Sequence, residues 1–287
     1  MIFYRSSFQL LRFHFSFFLM PVYWFALGQL LHPDLARALL IFFIIHFLLY
    51  PSSNGYNSYM DRDEGSIGGL KSPPAPTHQL FYISLLMDLL AILLSMMISI
   101  YFMMGTILYI LASRAYSARQ IRLKKYPVWG YLTVVIFQGA LIFFMVFHGA
   151  DSALSLRVPV PGMLAASLLI GGFYPLTQIY QHKEDALDGV RTLSAVLGYR
   201  GTFCFAAVVY CMAFAALALV FQLSLEIKEF LVFATCMVPV IVYFTTWAVK
   251  VWRDSAMADF EHTMRMNVIA SCCTNLGFIV VFLMHLH

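Results

Sequence analysis

Two short acidic stretches, each at the end of an apolar run, hold the side chains most suited to chemistry. They are Asn57, Asp61 and Glu64 before Gly65, and Gln181, Asp185 and Asp188 before Gly189. Shifted by 124 positions, the second stretch falls on the first, with an amide, an acid, a second acid and a glycine in register. Positions i, i+4 and i+7 lie on one helix face. Each stretch therefore predicts a stripe of one amide and two carboxylates that a glycine ends.

The chemistry predicted for these stripes is cation binding. Carboxylates at the C-terminal end of a helix oppose the helix dipole, and a bound cation offsets that cost. Mg²⁺ prefers oxygen ligands and is usually held by one or two carboxylates together with substrate phosphates. The predicted magnesium ligands are Asn57, Asp61, Glu64, Gln181, Asp185 and Asp188, of which Asn57, Asp61 and Asp185 are the predicted catalytic residues. The alternative is that both stripes are solvated helix ends.

A basic segment supplies the opposite charge. Residues 114–125 hold five Lys and Arg side chains, which suits a clamp on a metal-bound diphosphate. Such a segment also serves as a membrane topology signal, and this alternative stays open. The predicted diphosphate-binding residues are Arg62, Lys71, Arg119, Arg122, Lys124, Lys183 and Arg191.

The composition identifies the kind of fold that must position these groups. Of 287 residues, 61% are hydrophobic and only 11% are charged, whereas a soluble domain has about 25% charged residues. This excludes a soluble enzyme, a disordered chain, a disulfide-stapled secreted module and a nucleic-acid binder. The prediction is an all-α polytopic membrane protein with a central cavity that opens near the cytoplasmic side.

Nine apolar stretches are long enough to span a bilayer. They cover residues 8–30, 35–56, 79–98, 100–116, 128–148, 160–180, 202–222, 229–250 and 267–286. Together they predict a single integral-membrane domain, residues 1–287, with two pseudo-repeated halves at about 35–150 and 160–287.

The distribution of positive charge predicts the orientation. If the N-terminus is cytoplasmic, 15 of the 18 Lys and Arg residues fall on the cytoplasmic side, and Arg37, Arg157 and Lys228 fall on the other. Cytoplasmic loops carry such an excess. Both acidic stripes and the basic segment then face the cytoplasm.

The motifs resemble those of the UbiA superfamily of intramembrane prenyltransferases over essentially the whole chain. The first family motif has the form N-x3-D-x3-D, and Asn57 and Asp61 match it. Gly65 stands where the last acid is expected, so Asp63 or Glu64 must replace that acid.

The second family motif, D-x3-D followed by glycine and a basic-Thr-Leu run, is matched in part. The run Arg191-Thr192-Leu193 sets the register, Asp185 matches the second acid, and Gln181 replaces the first. Glu184 and Asp188 are the acids available to compensate. The segment from Tyr116 to Gly130 resembles the family's basic segment between helices four and five, and Arg12-Phe13-His14 resembles the Arg-Pro-x motif at the start of span one.

The resemblance implies nine membrane helices and Mg²⁺-dependent transfer of a prenyl group from an allylic polyprenyl diphosphate to a lipophilic, usually aromatic acceptor. The implied partners are these two substrates and the lipid bilayer. Aromatic faces stabilise an allylic cation, and the tyrosines chosen for the prenyl and acceptor cavity are Tyr56, Tyr59, Tyr116, Tyr174 and Tyr180.

Two alternative functions stay open at this stage. A UbiA-type terpene cyclase would act on the same diphosphate without an acceptor. A small-molecule transporter would place its polar groups near the bilayer midplane, where Asp88 in span three is the main candidate. His46 and Gln138 are the expected partners of Asp88, in a packing lock or an acceptor site.

Overall fold

A computed structural model describes residues 4–224 and 226–285, and within them every element of regular structure is helical apart from two isolated bridges. The helices are α1 Arg5–Leu11, α2 Met20–Gly28, α3 Leu35–Asp61, α4 His78–Ser95, α5 Ile100–Ser117, α6 Pro127–Ala150, α7 Val160–Thr177, α8 His182–Leu187, α9 Leu193–Leu223, α10 Ile227–Cys236, α11 Val238–Arg253 and α12 Phe260–His285. The predicted all-α membrane class is confirmed.

Several helices begin where a side chain can accept from a free backbone N–H, as N-caps do. The Asp34 carboxylate accepts from the N–H of Arg37 at the start of α3, and the Ser99 hydroxyl accepts from Phe102 at the start of α5. The Thr192 hydroxyl caps α9 in the same way. Pro127 opens α6 at a position where its missing N–H costs no helical bond.

Two long helices contain a wider π-helical segment. These segments are Ile44–Leu49 in α3 and Val135–Leu141 in α6. Such bulges re-aim side chains and often occur at functional sites. The first turns His46 into the core, where its Nδ1 atom lies 2.5 Å from the Ser16 hydroxyl.

Within the described residues, six helical stretches are long and apolar enough to cross a membrane, or eight if each of two bent helix pairs counts as one span. The bends are 41° between Arg5–Phe18 and Met20–Gly28, and 42° between α10 and α11. Helix α5, the fourth predicted span, has 18 residues but is not among these stretches. The count of nine, the orientation and the two pseudo-repeated halves stay predictions.

The core joins the first helices of the chain to the last. Helix α12 packs along α2 and α10, and α9 packs along α7. The Phe278 ring stacks between Phe25 and Phe233, with centroid distances of 4.9 and 4.4 Å. Aromatic stacking of this kind adds to the stabilisation from burial.

Three polar segments meet at one end of the bundle, which we call the loop end: residues 62–77, 118–126 and 181–192. Arg119 Nε donates to the Met60 carbonyl at 2.7 Å, and Gln181 Nε2 donates to the Ser66 carbonyl at 3.1 Å. At another point on the bundle, the Asp34 N–H donates to the Ala150 carbonyl at 2.8 Å. The contacts of Arg119 and Gln181 at the loop end bring both acidic stripes and the basic segment together.

Candidate active site

A cavity of about 190 Å³, the polar cavity, lies at the loop end between α3, α5, α6 and α7. Its lining includes three carboxylates, two cations and four tyrosines: Asp61, Asp63, Asp185, Arg12, Lys124, Tyr109, Tyr116, Tyr174 and Tyr180. Asn57 and Gln181 also line it. The two stripes, 124 residues apart in the chain, therefore contribute to one site.

The first stripe follows the predicted helix face only as far as Asp61. Asn57 and Asp61 lie one turn apart on α3, and Asp61 is 7% exposed. The Ser117 hydroxyl donates to Asn57 Oδ1 at 2.8 Å and so orients the amide. Helix α3 then ends, because Arg62 adopts a left-handed conformation with φ 55°. The predicted continuation of the helical stripe to Glu64 is wrong, and Glu64 is exposed outside the cavity lining.

The basic segment contacts both stripes. Lys124 Nζ lies 2.6 Å from Asp61 Oδ2, and Arg122 forms ion pairs with Asp61 and Asp188. Arg119 donates to backbone carbonyls at the end of α3, including that of Asp61 at 3.3 Å. Three cations therefore lie beside these carboxylates. Side chains of this kind form strong charge-assisted hydrogen bonds with phosphate oxygens.

The second stripe approaches the cavity from a tight turn and the short helix α8. Gln181 belongs to the turn Ile179–Gln181, and Asp185 lies in α8 on the cavity wall. Asp188 is exposed, and its partner is Arg122. Gly189 ends the stripe with φ 67°, the conformation expected of a terminating glycine.

Asp63 is the acid that the structure brings to the cavity from beyond the end of α3. Burial, together with the nearby Asp61 carboxylate, raises the pKa of Asp63 to about 6, although Lys124 and Arg12 oppose the shift. Of the two acids considered for the Gly65 position, Asp63 rather than Glu64 therefore lies in the site. The Glu184 carboxylate fills the space that a Cβ on Gly65 would need.

The comparisons with known proteins identify the family of the chain. The model of the UbiA prenyltransferase family matches residues 16–269. The chain belongs to this family. No curated protein sequence matches the chain.

Solved structures of UbiA homologues share the fold. A UbiA homologue from Archaeoglobus fulgidus bound to DMAPP and Mg²⁺ has 19% identity and a TM-score of 0.72, over 96% of this chain and 99% of that one. An apo UbiA homologue from Aeropyrum pernix K1 has 18% identity and a TM-score of 0.69, over 93% and 97%. A digeranylgeranylglyceryl phosphate synthase has 17% identity and a TM-score of 0.62, over 97% of each chain.

The cations predicted to bind diphosphate differ in how near they lie to this UbiA cavity. Lys124 is the one that lines it. Arg119 and Arg122 lie outside the lining and contact the ends of the two stripes, as described above. Of the cations predicted to bind diphosphate, those at the cavity or at the ends of the stripes therefore all come from the basic segment after α5.

The other four predicted cations lie outside the cavity lining and are exposed: Arg62, Lys71, Lys183 and Arg191. The left-handed turn at Arg62 aims its guanidinium over the Tyr59 ring, at 6.0 Å. Lys71 Nζ pairs with Glu261 at 3.1 Å. Proximity to the stripes in sequence did not bring these side chains to the site.

The five predicted cavity tyrosines divide into two groups. Tyr116 and Tyr174 line the polar cavity with their hydroxyls in contact, and Tyr180 lines it as well. Tyr56 lies instead under the Arg114 guanidinium, 4.0 Å from its ring centroid, and the Tyr59 hydroxyl lies 3.0 Å from His78 Nδ1. Tyr56 and Tyr59 are therefore placed outside the cavity lining.

Arg12 lines the cavity but stands outside the predicted site set. It is 7% exposed and donates to the carbonyls of Gly68 and Asn54 at 3.3 and 3.4 Å. An arginine inside an apolar run is costly unless it faces a polar interior. The position of Arg12 inside an apolar run is therefore the feature of the sequence that could have predicted its place in the site.

The expected partners of Asp88 are wrong. Asp88 pairs with Arg114 of α5, and its Oδ1 atom accepts from the Ser52 hydroxyl at 2.5 Å. His46 bonds Ser16 instead, and Gln138 lines the polar cavity. The ion pair shows a helix-packing role for Asp88.

The donor set at the loop end suits Mg²⁺. In residues 4–224 and 226–285, no group of three His, Cys, Asp or Glu side chains is arranged to hold a metal by itself. The cavity does offer the carboxylates of Asp61 and Asp185, and Asp61 Oδ1 is buried without a hydrogen-bond partner. One or two carboxylates completed by phosphate oxygens and water form the usual environment of protein-bound Mg²⁺.

A second cavity of about 380 Å³, the apolar cavity, lies among α7, α9, α11 and α12. Its lining includes Phe18, Ile170, Phe173, Tyr210, Phe214 and Phe244. It adjoins the polar cavity, because Phe15 of the polar lining packs edge-on against Phe18 at 5.2 Å. A polar and an apolar cavity thus lie side by side.

Proposed function

We propose that this UbiA family member transfers a prenyl group from an allylic polyprenyl diphosphate to a lipophilic acceptor, with Mg²⁺. The observation that carries the proposal is the polar cavity, where Asp61, Asp185 and Lys124 converge beside an apolar cavity. A prenyl diphosphate has the same two parts, a polyanionic head and an apolar tail.

The diphosphate is assigned to the polar cavity. Asp61, Asp185 and the Asn57 amide oxygen are the proposed magnesium ligands, with Asp63 as a further acid beside them. Bound Mg²⁺ would neutralise the charge that develops on the departing diphosphate. Lys124 and Arg12 add positive charge from the protein itself, at fixed positions on the cavity lining where negative charge would develop.

The prenyl group is assigned to the aromatic wall and the apolar cavity. Breaking the allylic C–O bond leaves an allylic cation, which water would quench. The Tyr116 and Tyr174 rings on the cavity wall offer faces that stabilise a cation. The acceptor carbon then bonds to the allylic carbon and loses a proton. The acceptor reaches this site from the bilayer, which is why we propose a lipophilic one.

The test is an assay of purified protein in lipid nanodiscs with geranyl diphosphate (GPP), Mg²⁺ and a lipid extract as the acceptor source. We expect Mg²⁺-dependent release of diphosphate together with a prenylated lipid. Asp61→Asn and Asp185→Asn should each lower the rate about 10²-fold or more, because they remove charge from the metal site.

Asp254→Asn is the matched control, since Asp254 is exposed outside the polar cavity and asparagine keeps its capping ability. Release that needs no Mg²⁺ and persists in both site variants would overturn the mechanism. Release accompanied by a cyclised hydrocarbon and no prenylated lipid would identify a cyclase instead.

A further inference from the structure

Residues 65–70, which we call the strap, pass along the polar cavity and contribute Ile67 and Gly68 to its lining. The backbone of Ile67 and Leu70 closes a tight turn through two hydrogen bonds of 2.9 Å. Gly69 makes the turn possible with φ 84°. Ile67 is 4% exposed, so the strap is packed against the protein.

One side chain from the second stripe holds this strap. Gln181 Nε2 donates to the backbone carbonyl of Ser66 at 3.1 Å. A carbonyl only accepts hydrogen bonds, so the contact requires a donor at position 181. Glutamine has such a donor, whereas an ionised aspartate or glutamate has none.

A second contact brings the strap against the same stripe. The Glu184 carboxylate fills the space beside Gly65 that a Cβ would need. The backbone at Gly65 therefore lies directly against the side chain of α8. Strap and second stripe meet at two successive residues, Gly65 and Ser66.

We propose that Gln181 is a positioning residue, which holds the strap against the polar cavity, and that it is not a magnesium ligand. Its amide nitrogen donates to the Ser66 carbonyl. Its neutral amide oxygen would compete for Mg²⁺ with the charged carboxylates of Asp61, Asp63 and Asp185 on the cavity lining, which are the stronger ligands. The strap in turn places Ile67 where it shields the diphosphate site from water. Only this shielding role rests on the proposed function, since the tether itself does not.

Hydrogen–deuterium exchange on the full-length protein in nanodiscs tests the tether without any substrate. Gln181→Glu keeps the length of the side chain and removes the donor. We expect exchange of the Ile67 and Leu70 amides to rise about tenfold, the effect of losing about one hydrogen bond. Gln222→Glu, at an exposed site on α9, is the matched control and should leave strap exchange unchanged.

Kinetics with GPP separate positioning from metal binding. In Gln181→Glu we expect the KM for GPP to rise about fivefold and the share released as prenyl alcohol to increase, because water enters. The Mg²⁺ concentration at half-maximal rate should stay within about twofold of wild type. A ligand role predicts the reverse, since a carboxylate in place of an amide would lower that concentration.

Unchanged strap exchange in Gln181→Glu would overturn the proposal. The proposal would also be overturned if the Mg²⁺ concentration at half-maximal rate changed about tenfold in this variant while the strap amides exchanged as slowly as in wild type. Absence of Mg²⁺-dependent turnover in the wild-type protein would instead count against the proposed function, and the exchange result would still decide the role of Gln181.

Discussion

Arg114 of α5 and Asp88 of α4 form an ion pair inside the helix bundle, with side chains 16% and 10% exposed. Arg114 Nη2 also donates to the Ser52 hydroxyl at 2.9 Å, and its guanidinium lies over Tyr56. Ser52 and Tyr56 belong to α3, the helix that carries Asn57 and Asp61. The pair thus fixes the helix of the first stripe against both of its neighbours.

Breaking this pair should destabilise the fold. We expect Arg114→Ala to cost about 3–5 kcal/mol, because it leaves the Asp88 carboxylate buried without its cation. Thermal unfolding in detergent measures the loss. The double variant Arg114→Leu with Asp88→Leu should recover most of it, since it removes both charges. Equal losses in the single and double variants would show that the ion pair is not the cause.

Close helix packing at Gly139 should be sensitive to one methyl group. A Cβ at position 139 would lie 2.5 Å from the Ser167 Cα atom of α7. The obstacle is backbone, so Gly139→Ala must push α6 and α7 apart, at a cost of about 1–3 kcal/mol. Gly28→Ala is the control, because its nearest atom lies 3.8 Å from the new Cβ. Similar unfolding temperatures for the two variants would contradict the prediction.

The pKa of Asp63 predicts how stability depends on pH in protein treated with a chelator. Burial raises this pKa from 3.8 to about 6. Between these two values the native protein holds more protons than the unfolded chain, so stability falls as pH rises through that interval. Asp63→Asn removes this dependence.

We therefore expect Asp63→Asn to be more stable than wild type by about 1–2 kcal/mol at neutral pH, allowing for solvent screening. Near pH 3, below both pKa values, the difference should disappear, because Asp63 is then protonated in the unfolded chain as well as in the native protein. Denaturant unfolding at both pH values measures it. A difference that is the same at both values would exclude Asp63 ionisation as its source.

The apolar cavity should select substrates by chain length. Ala207 of α9 lines it, and Ala207→Phe would fill part of its volume of about 380 Å³. We expect kcat/KM to fall about tenfold for a long-chain prenyl diphosphate and less than threefold for GPP, because a smaller cavity buries less of a long apolar tail. Ala215→Phe, exposed on the same helix, is the control. An equal decrease for both substrates would place the prenyl tail elsewhere.

The sequence by itself determined the membrane class and the centre of the site. Apolar length and the spacing from Asn57 to Asp61 are local properties, and helical geometry carries them into the fold almost unchanged. The match of the second stripe to the first brought Asp185 into the prediction, and the structure places it on the same cavity wall as Asp61.

Only the tertiary structure decided which of the remaining polar groups act together. The end of α3 at Asp61 takes Glu64 out of the stripe and leaves Asp63 in the cavity. Asp88 pairs with Arg114, which is 26 positions away on the next helix. Gln181 donates to the carbonyl of Ser66, which is 115 positions away. Such pairs depend on where helices end and how they pack, which no spacing along the chain encodes.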